Sequence, residues 1–190
     1  MRQSPAEIDY AILDVAAGFF AVHGFAATSL QTIADAVGYS KPGLLHRFGS
    51  KEALYRAVMD EVKETVDVIV DHVVSLHEHP EHLDQVLELV VRRALARPGV
   101  VQMVLAAFET QQLEPGTESA QAAGYRLMDA FEQSHAGPAD RLRTALALRL
   151  IVTAAMSQQS PLDADLHVPE EQFVPMVRDI ALGVLGHRDV

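Results

Sequence analysis

The chain has 190 residues, of which 49% are hydrophobic and 6% aromatic, with a net charge of −11 and no cysteine. That length can bury a substantial core as one large domain or two small ones, and abundant Ala, Leu and Val predict helices with aliphatic seams. The lack of thiols excludes a disulfide scaffold, a thiolate zinc site and a cysteine nucleophile, and it fits a reducing cytoplasm.

In chain order, Ser4-Pro5-Ala6-Glu7 reads as a cap, a first-turn proline and an early acid, which together start a helix. Ile8, Ile12, Val15, Ala16, Phe19 and Phe20 line one side of it to about His23, where Gly24 stops it. Phe19 and Phe20 are expected as its main buried anchors. Ser29 caps a second, short helix whose apolar stripe is Leu30, Ile33, Ala34 and Val37, at i, i+3, i+4, i+7. Gly38 ends it, since glycine enters a left-handed turn without steric cost. Ser40 caps a third helix, with Pro42 in the first turn where no N–H is needed. Leu44, Leu45 and Phe48 form its apolar side, leaving Lys41, His46 and Arg47 on other faces. Two short helices joined by a glycine turn, the second opening with polar and cationic residues, predict a helix-turn-helix whose second helix enters the DNA major groove.

Gly49-Ser50 breaks the chain again, and Ser50 caps a long connecting helix predicted over 51–78, with Leu54, Val58, Val62, Ile69, Val73 and Leu76 on one side. Helices follow over about 82–96, 100–113 (after Pro98-Gly99), 118–134, 139–158 and 170–186, the last containing Pro175 as an early-turn residue or a kink. The fold class is therefore all-α, with about nine helices: a three-helix head at 1–50 and a helical body at 51–190. No cationic leader precedes an apolar run, and runs such as Val100–Phe108 are too short to span a bilayer, so no membrane partner and a cytoplasmic location are expected.

The acidic sum conceals an asymmetry. Residues 1–60 carry five Lys/Arg and six Asp/Glu, against ten and twenty in 61–190, and Tyr39–Arg56 holds four bases with Glu52 as its lone acid. A basic face on an otherwise acidic molecule orients the head toward a polyanion.

The run GFAATSLQTIADAVGYSKPGLLHRFGSKEALYRAV, residues 24–58, resembles the DNA-binding domain of TetR-family transcriptional repressors. The likeness rests on Gly24-Phe25, Thr28-Ser29, Ile33-Ala34, Gly38, Ser40-Lys41, Leu44, Phe48 and Ser50 to Leu54, in the family's order and spacing. The resemblance implies that Thr28 and Ser29 meet the backbone phosphate and that Lys51, at a helix N-terminus, meets another. Lys41, Pro42 and Gly43 open the recognition helix: Lys41 can donate to guanine, Pro42 can pack on a thymine methyl, and Gly43 allows close approach. With Tyr39, Ser40, His46 and Arg47 these make up the candidate DNA-binding set. Two positions depart from the family: Leu45 stands where a tyrosine is usual and Arg47 where a histidine is usual, with His46 one place earlier. Arg47 is expected to keep a phosphate contact, and Leu45 to pack within the head.

For the body, the resemblance implies homodimerisation and a small-molecule effector. Leu142, Leu146, Leu150 and Ala154, with Val177, Ile180 and Val184, resemble the family's dimer-forming helix pair. Met103, Phe108, Tyr125, Met128 and Phe131 are candidate pocket residues for an apolar ligand. Double-stranded operator DNA is the expected partner and no cofactor is implied. A metal sensor using His72, His77, His79 and His82 with Glu78 and Glu81 has no histidine pair at i, i+4 and no HExxH pattern, so a solvated helix end is the better reading. A hydrolase lacks a GxSxG elbow or a phosphate loop. A helical interaction protein with a DNA-incompetent head is the other alternative, because of Leu45.

Overall fold

A computed structural model of the chain describes residues 4–75, 79, 82–109, 122, 125–126, 129–130, 137–160 and 165–186. Eight helices lie among the described residues, and no strand: α1 (Pro5–Ala27), α2 (Leu30–Ala36), α3 (Lys41–Phe48), α4 (Lys51–Ser75), α5 (Leu83–Ala96), α6 (Pro98–Glu109), α7 (Pro138–Ser157) and α8 (Glu170–Leu185). Residues 122, 125–126 and 129–130 are also helical, inside the span predicted for a further helix. The chain divides into two compact units, Met1–Thr65 with Gly99–Gly124, and Val66–Pro98 with Tyr125–Val190. This differs from the boundary expected near residue 50, because the start of α4 and the start of α6 pack with the N-terminal helices.

In the first unit, Ile12, Leu13, Ala16, Ala17 and Phe20 of α1 are buried with Ile33 and Ala34 of α2, Leu44 of α3, and Leu54, Tyr55, Val58, Met59 and Val62 of α4. Phe20 is the anchor the sequence predicts, whereas Phe19 is half-buried and stacks on His23 at 6.1 Å. The reason is angular: Phe20 follows Ala16 at i+4 on the inner stripe, and Phe19 sits about 100° around the helix from it. Gly24 breaks the helical run with φ 74° and ψ 166°, as a stop there requires, and one more turn carries the chain to Ala27. Phe25, in that turn, packs with Phe20 and Tyr55, and both rings meet Tyr55 edge-on at 4.9 Å. Edge-to-face contacts of this kind add about 0.5–1.5 kcal/mol beyond the area they bury.

The start of α6 corrects the expectation that Pro98-Gly99 is punctuation. Both residues lie in the helix, with proline at its first position, where it costs no hydrogen bond. Gly99 lies against α1 so closely that a Cβ there would stand 2.0 Å from the Asp14 carbonyl oxygen. The Asp14 carboxylate accepts from the Val100 N–H at 3.0 Å, capping α6 from a different helix.

In the second unit α5, α7 and α8 pack pairwise. Val86, Leu87, Val90, Val91 and Ala94 meet Ala147, Leu148, Ile151, Val152 and Ala155, together with Phe173, Val174, Val177 and Ala181. Arg92 pairs within α5 with Glu88 at 2.8 Å and reaches across to Glu170 of α8 at 2.9 Å, joining the two helices at the surface. Pro175 falls in the second turn of α8, which continues to Gly186, where a left-handed φ of 89° ends it.

One helix is longer and more apolar than the sequence reading allowed. By length and composition alone α1 is long and apolar enough to cross a membrane. Its inner stripe nevertheless packs against α2, α3 and α4, the arrangement of a core helix.

Candidate nucleic-acid interface

The helix-turn-helix is built by caps. The Ser29 hydroxyl accepts from the Thr32 N–H at 3.0 Å and starts α2. Ile33 and Ala34 are fully buried and fix that helix on α1. Gly38 turns the chain at φ 71°, with the Tyr39 N–H returning to the Ala34 carbonyl at 2.8 Å. The Ser40 hydroxyl then accepts from the Gly43 N–H at 3.1 Å and starts α3. A Cβ on Gly43 would crowd that hydroxyl at 3.2 Å, so the missing side chain serves the cap as well as any approach to DNA. Leu44 is fully buried and holds α3 in place, while Leu45 is half-buried as expected of a packing residue.

What this scaffold presents outward is the first turn of α3. Ser40, Lys41, Pro42 and His46 are exposed, Tyr39 and Gly43 partly so, and Ser29 is exposed at the start of α2. Beyond the helix caps made by Ser29 and Ser40, three residues of the candidate set, Thr28, Lys51 and Arg47, have side chains engaged within the protein. Thr28 is buried, and its hydroxyl donates to the Gly24 carbonyl at 2.8 Å and to the Phe19 carbonyl at 3.2 Å, closing the end of α1. Its expected phosphate contact is corrected accordingly, because its one proton points inward, whereas the Ser29 side chain beside it is exposed. Lys51 lies 4.3 Å over the Phe25 ring and donates to the Ala26 carbonyl at 3.3 Å. Its ammonium is held at the N-terminus of α4, where that helix adds partial positive charge.

Arg47 is the third. Its Nε donates to the Asp9 carboxylate and its Nη2 to the Pro5 carbonyl, joining the last turn of α3 to the first turns of α1. The hydrogen bond it donates to Asp9 raises the guanidinium pKa above its already high usual value, so the group is permanently charged. Nothing in the sequence signals this pair, which spans 38 positions. Asp9 and Pro5 are therefore site residues that sequence reasoning missed. In the first turn of α4, Glu52 is held below the usual carboxylate range, chiefly by its own backbone N–H and then by the Ser50 hydroxyl.

A family model of bacterial regulatory proteins, tetR family, matches residues 12–58, the stretch that builds this interface. Over that stretch the chain is similar to the DNA-binding domains of TetR-family regulators. Among curated proteins, the HTH-type transcriptional regulator RutR of Escherichia coli K12 is 48% identical over 52 residues, a match covering 27% of this chain and 24% of RutR. The HTH-type transcriptional repressor ComR of the same strain is 46% identical over 50 residues, covering 26% and 24%. The chain thus spans about a quarter of the length of the curated relatives it matches. Among solved structures, the TetR family regulator PfmR from Thermus thermophilus superposes with a TM-score of 0.54 at 21% identity over all of both chains. A TetR family regulator from Marinobacter aquaeolei gives 0.53 at 21% identity, covering 97% of this chain and 98% of its own. These structures share the all-helical fold.

The TetR resemblance of the body can be followed residue by residue. Leu142, Leu146 and Ile180 are 59%, 48% and 48% exposed, unusual for large apolar side chains on packed helices. Leu150, Ala154 and Val184 are half-buried beside them. Val177 is a correction: it is buried within the second unit, because its face of α8 packs on α5 and α7. Exposed Met176 was missed, although it lies four positions before Ile180. Of the pocket candidates, Met103 is core in the first unit and Tyr125 is 67% exposed. The Phe108 side chain, Met128 and Phe131 lie outside the described residues, as do His77 and Leu76. Among the described residues no cluster of three metal-ligating side chains forms.

Proposed function

We propose that this chain is a cytoplasmic, homodimeric transcriptional regulator that occupies a palindromic operator as a repressor and is released by a small apolar effector. The observation that carries the reading is the outward first turn of α3, capped by Ser40 and seated by Leu44, with Lys41, Pro42 and His46 exposed on it. A helix so presented fits the major groove, where Lys41 donates to guanine O6 or N7 and Pro42 packs on thymine. Ser29 and Lys51 flank it at two helix N-termini, suited to backbone phosphates.

One such helix reads few bases, and two-fold pairing supplies a second half-site about one helical turn away. The exposed apolar face of α7 and α8, with Leu142, Leu146, Met176 and Ile180, supports that pairing. Repression is favoured by the likeness of the head to the repressor ComR. Release follows from linkage: an effector that prefers a head spacing unlike that of B-DNA weakens DNA binding by the factor by which DNA weakens its own. No catalytic role is assigned to any residue.

The test is fluorescence anisotropy of the purified protein on DNA from upstream of its own gene, across a salt series. Saturable binding to a palindrome, falling steeply with salt and weakened about tenfold or more by Lys41→Ala, is expected. Absence of site-specific binding both there and in a genome-wide binding selection would instead favour a helical interaction protein with an inactive head.

A further inference from the structure

The pair between Arg47 and Asp9 changes what the last turn of the recognition helix does, and the inference rests on the DNA-binding reading above. Arg47 stands on α3 where a cation can reach a phosphate, yet two separate hydrogen-bonding nitrogens of its fork are engaged within the protein. The partners, Asp9 and the Pro5 carbonyl, both belong to the first turns of α1. That start of α1 is itself a defined structure. Ser4 and Glu7 form a reciprocal capping box, and Pro5 occupies the first helical position. The Arg47 side chain is 26% exposed and that of Asp9 is 42% exposed, so the pair sits at the protein surface with its geometry fixed by a planar, two-pronged donor.

We propose that Arg47 is a positioning residue and not a phosphate ligand: through Asp9 and Pro5 it ties the C-terminal turn of α3 to the N-terminal turns of α1. The tether sets the angle at which Lys41, Pro42 and His46 meet the base edges. Buried Leu44 seats α3 at mid-length, and the Arg47 tether is the polar point near its end that opposes pivoting about that seat. The two roles predict effects of opposite sign for Asp9. If Arg47 reaches for a phosphate, Asp9 competes with DNA for it, and Asp9→Asn frees a cation and removes an acid, so binding tightens. If Arg47 is a tether, Asp9→Asn loosens α3, and binding weakens although the protein has become less negative.

The experiment measures operator affinity across a salt series for the full-length wild type, Asp9→Asn, Arg47→Lys, Arg47→Ala and the Asp9→Asn/Arg47→Ala double variant. Thermal unfolding of each variant accompanies the binding curves. The expected result is a loss of roughly two- to fivefold for Asp9→Asn and for Arg47→Ala, the scale of a partly exposed ion pair. The double variant should be no weaker than the weaker single. Arg47→Lys, which keeps the charge and loses the fork, should resemble Arg47→Ala. In every variant the slope of log affinity against log salt should match the wild type, because no phosphate contact has gone. Tighter binding by Asp9→Asn, or a slope smaller by about one for Arg47→Ala, would overturn the tether. Amide hydrogen exchange of Leu44–Phe48 without DNA separates the two levels of the argument. Faster exchange in Asp9→Asn supports the tether even if no operator is bound, a result that would refute the DNA-binding reading alone. Unchanged exchange overturns the tether itself.

Discussion

Replacing Gly99 by alanine puts one methyl group where the first unit has no room for it. The added Cβ would stand 2.0 Å from the Asp14 carbonyl oxygen and 2.9 Å from both the Asp14 carbonyl carbon and the Gly18 nitrogen. All three are backbone atoms of α1, so no side-chain rotation relieves the overlap, and α6 must move away from α1. Overpacking typically costs 1–3 kcal/mol, and a clash with rigid backbone belongs at about 3 kcal/mol. The displacement also lengthens the 3.0 Å bond by which Asp14 caps the Val100 N–H, adding about 1 kcal/mol. For a chain of this size each kcal/mol moves Tm by about 2–4 °C, so Gly99→Ala should melt roughly 8–16 °C lower by calorimetry. The matched control is Gly18→Ala on the facing helix, where the nearest atoms to an added Cβ lie 3.7 Å away. That is ordinary contact, and removing a helix-interior glycine should raise Tm by about 2–4 °C, since alanine is favoured by up to about 1 kcal/mol. Equal Tm values for Gly99→Ala and wild type, or a Gly18→Ala loss as large as that of Gly99→Ala, would refute the close approach of α6 to α1.

Three further outcomes are expected. Gly38→Ala should cost about 1–2 kcal/mol in denaturant unfolding and Gly38→Asn less, because the strain is conformational: φ is 71° and an added Cβ meets nothing within 4 Å. Equal losses would point to sterics instead. Glu7 has its pKa lowered, first by the Ser4 backbone N–H and then by the Ser4 hydroxyl. Its contribution to the start of α1 is therefore complete above the unfolded carboxylate pKa and fades as pH falls through the lower folded value. Acid titration followed by amide shifts at Ser4–Ile8 should show this, and Ser4→Ala should move the Glu7 midpoint upward. Leu146→Glu should turn a sedimenting dimer into a monomer and reduce operator affinity, while leaving the helical circular dichroism unchanged, since Leu146 is 48% exposed in the single chain. A wild type that is already monomeric at assay concentrations would remove the basis for the dimer.

The helix-turn-helix was legible because its determinants are local. Ser29, Gly38 and Ser40 act on backbone groups within five positions of themselves, and their chemistry dictates caps and turns wherever they occur. The same is true of Ser4 and Glu7 at the start of α1. What could not be read were facts decided by distant partners. Thr28 and Ser29 look interchangeable in sequence, and only the Phe19 and Gly24 carbonyls of α1 turn one hydroxyl inward. Val177 and Ile180 are both apolar and three apart on α8. The packing of α5 and α7 decides that one is core and the other exposed. Pro98-Gly99 carries a turn signature, yet its glycine answers to α1, some eighty positions earlier. Arg47 reads as a DNA-facing cation until Asp9 is in view.

The start of α4 has a mechanical consequence. Tyr55 is wedged edge-on between Phe20 and Phe25, and Lys51, one turn earlier, is fastened to Phe25 and Ala26. These contacts lie on both sides of the Gly24 break and act on a single helix end, so they remove the bending freedom that the break would otherwise allow. A lever clamped in this way does not flex at its root. Within the first unit, a torque applied at the start of α4 is shared by the α1 segments before and after Gly24, which turn together rather than against each other.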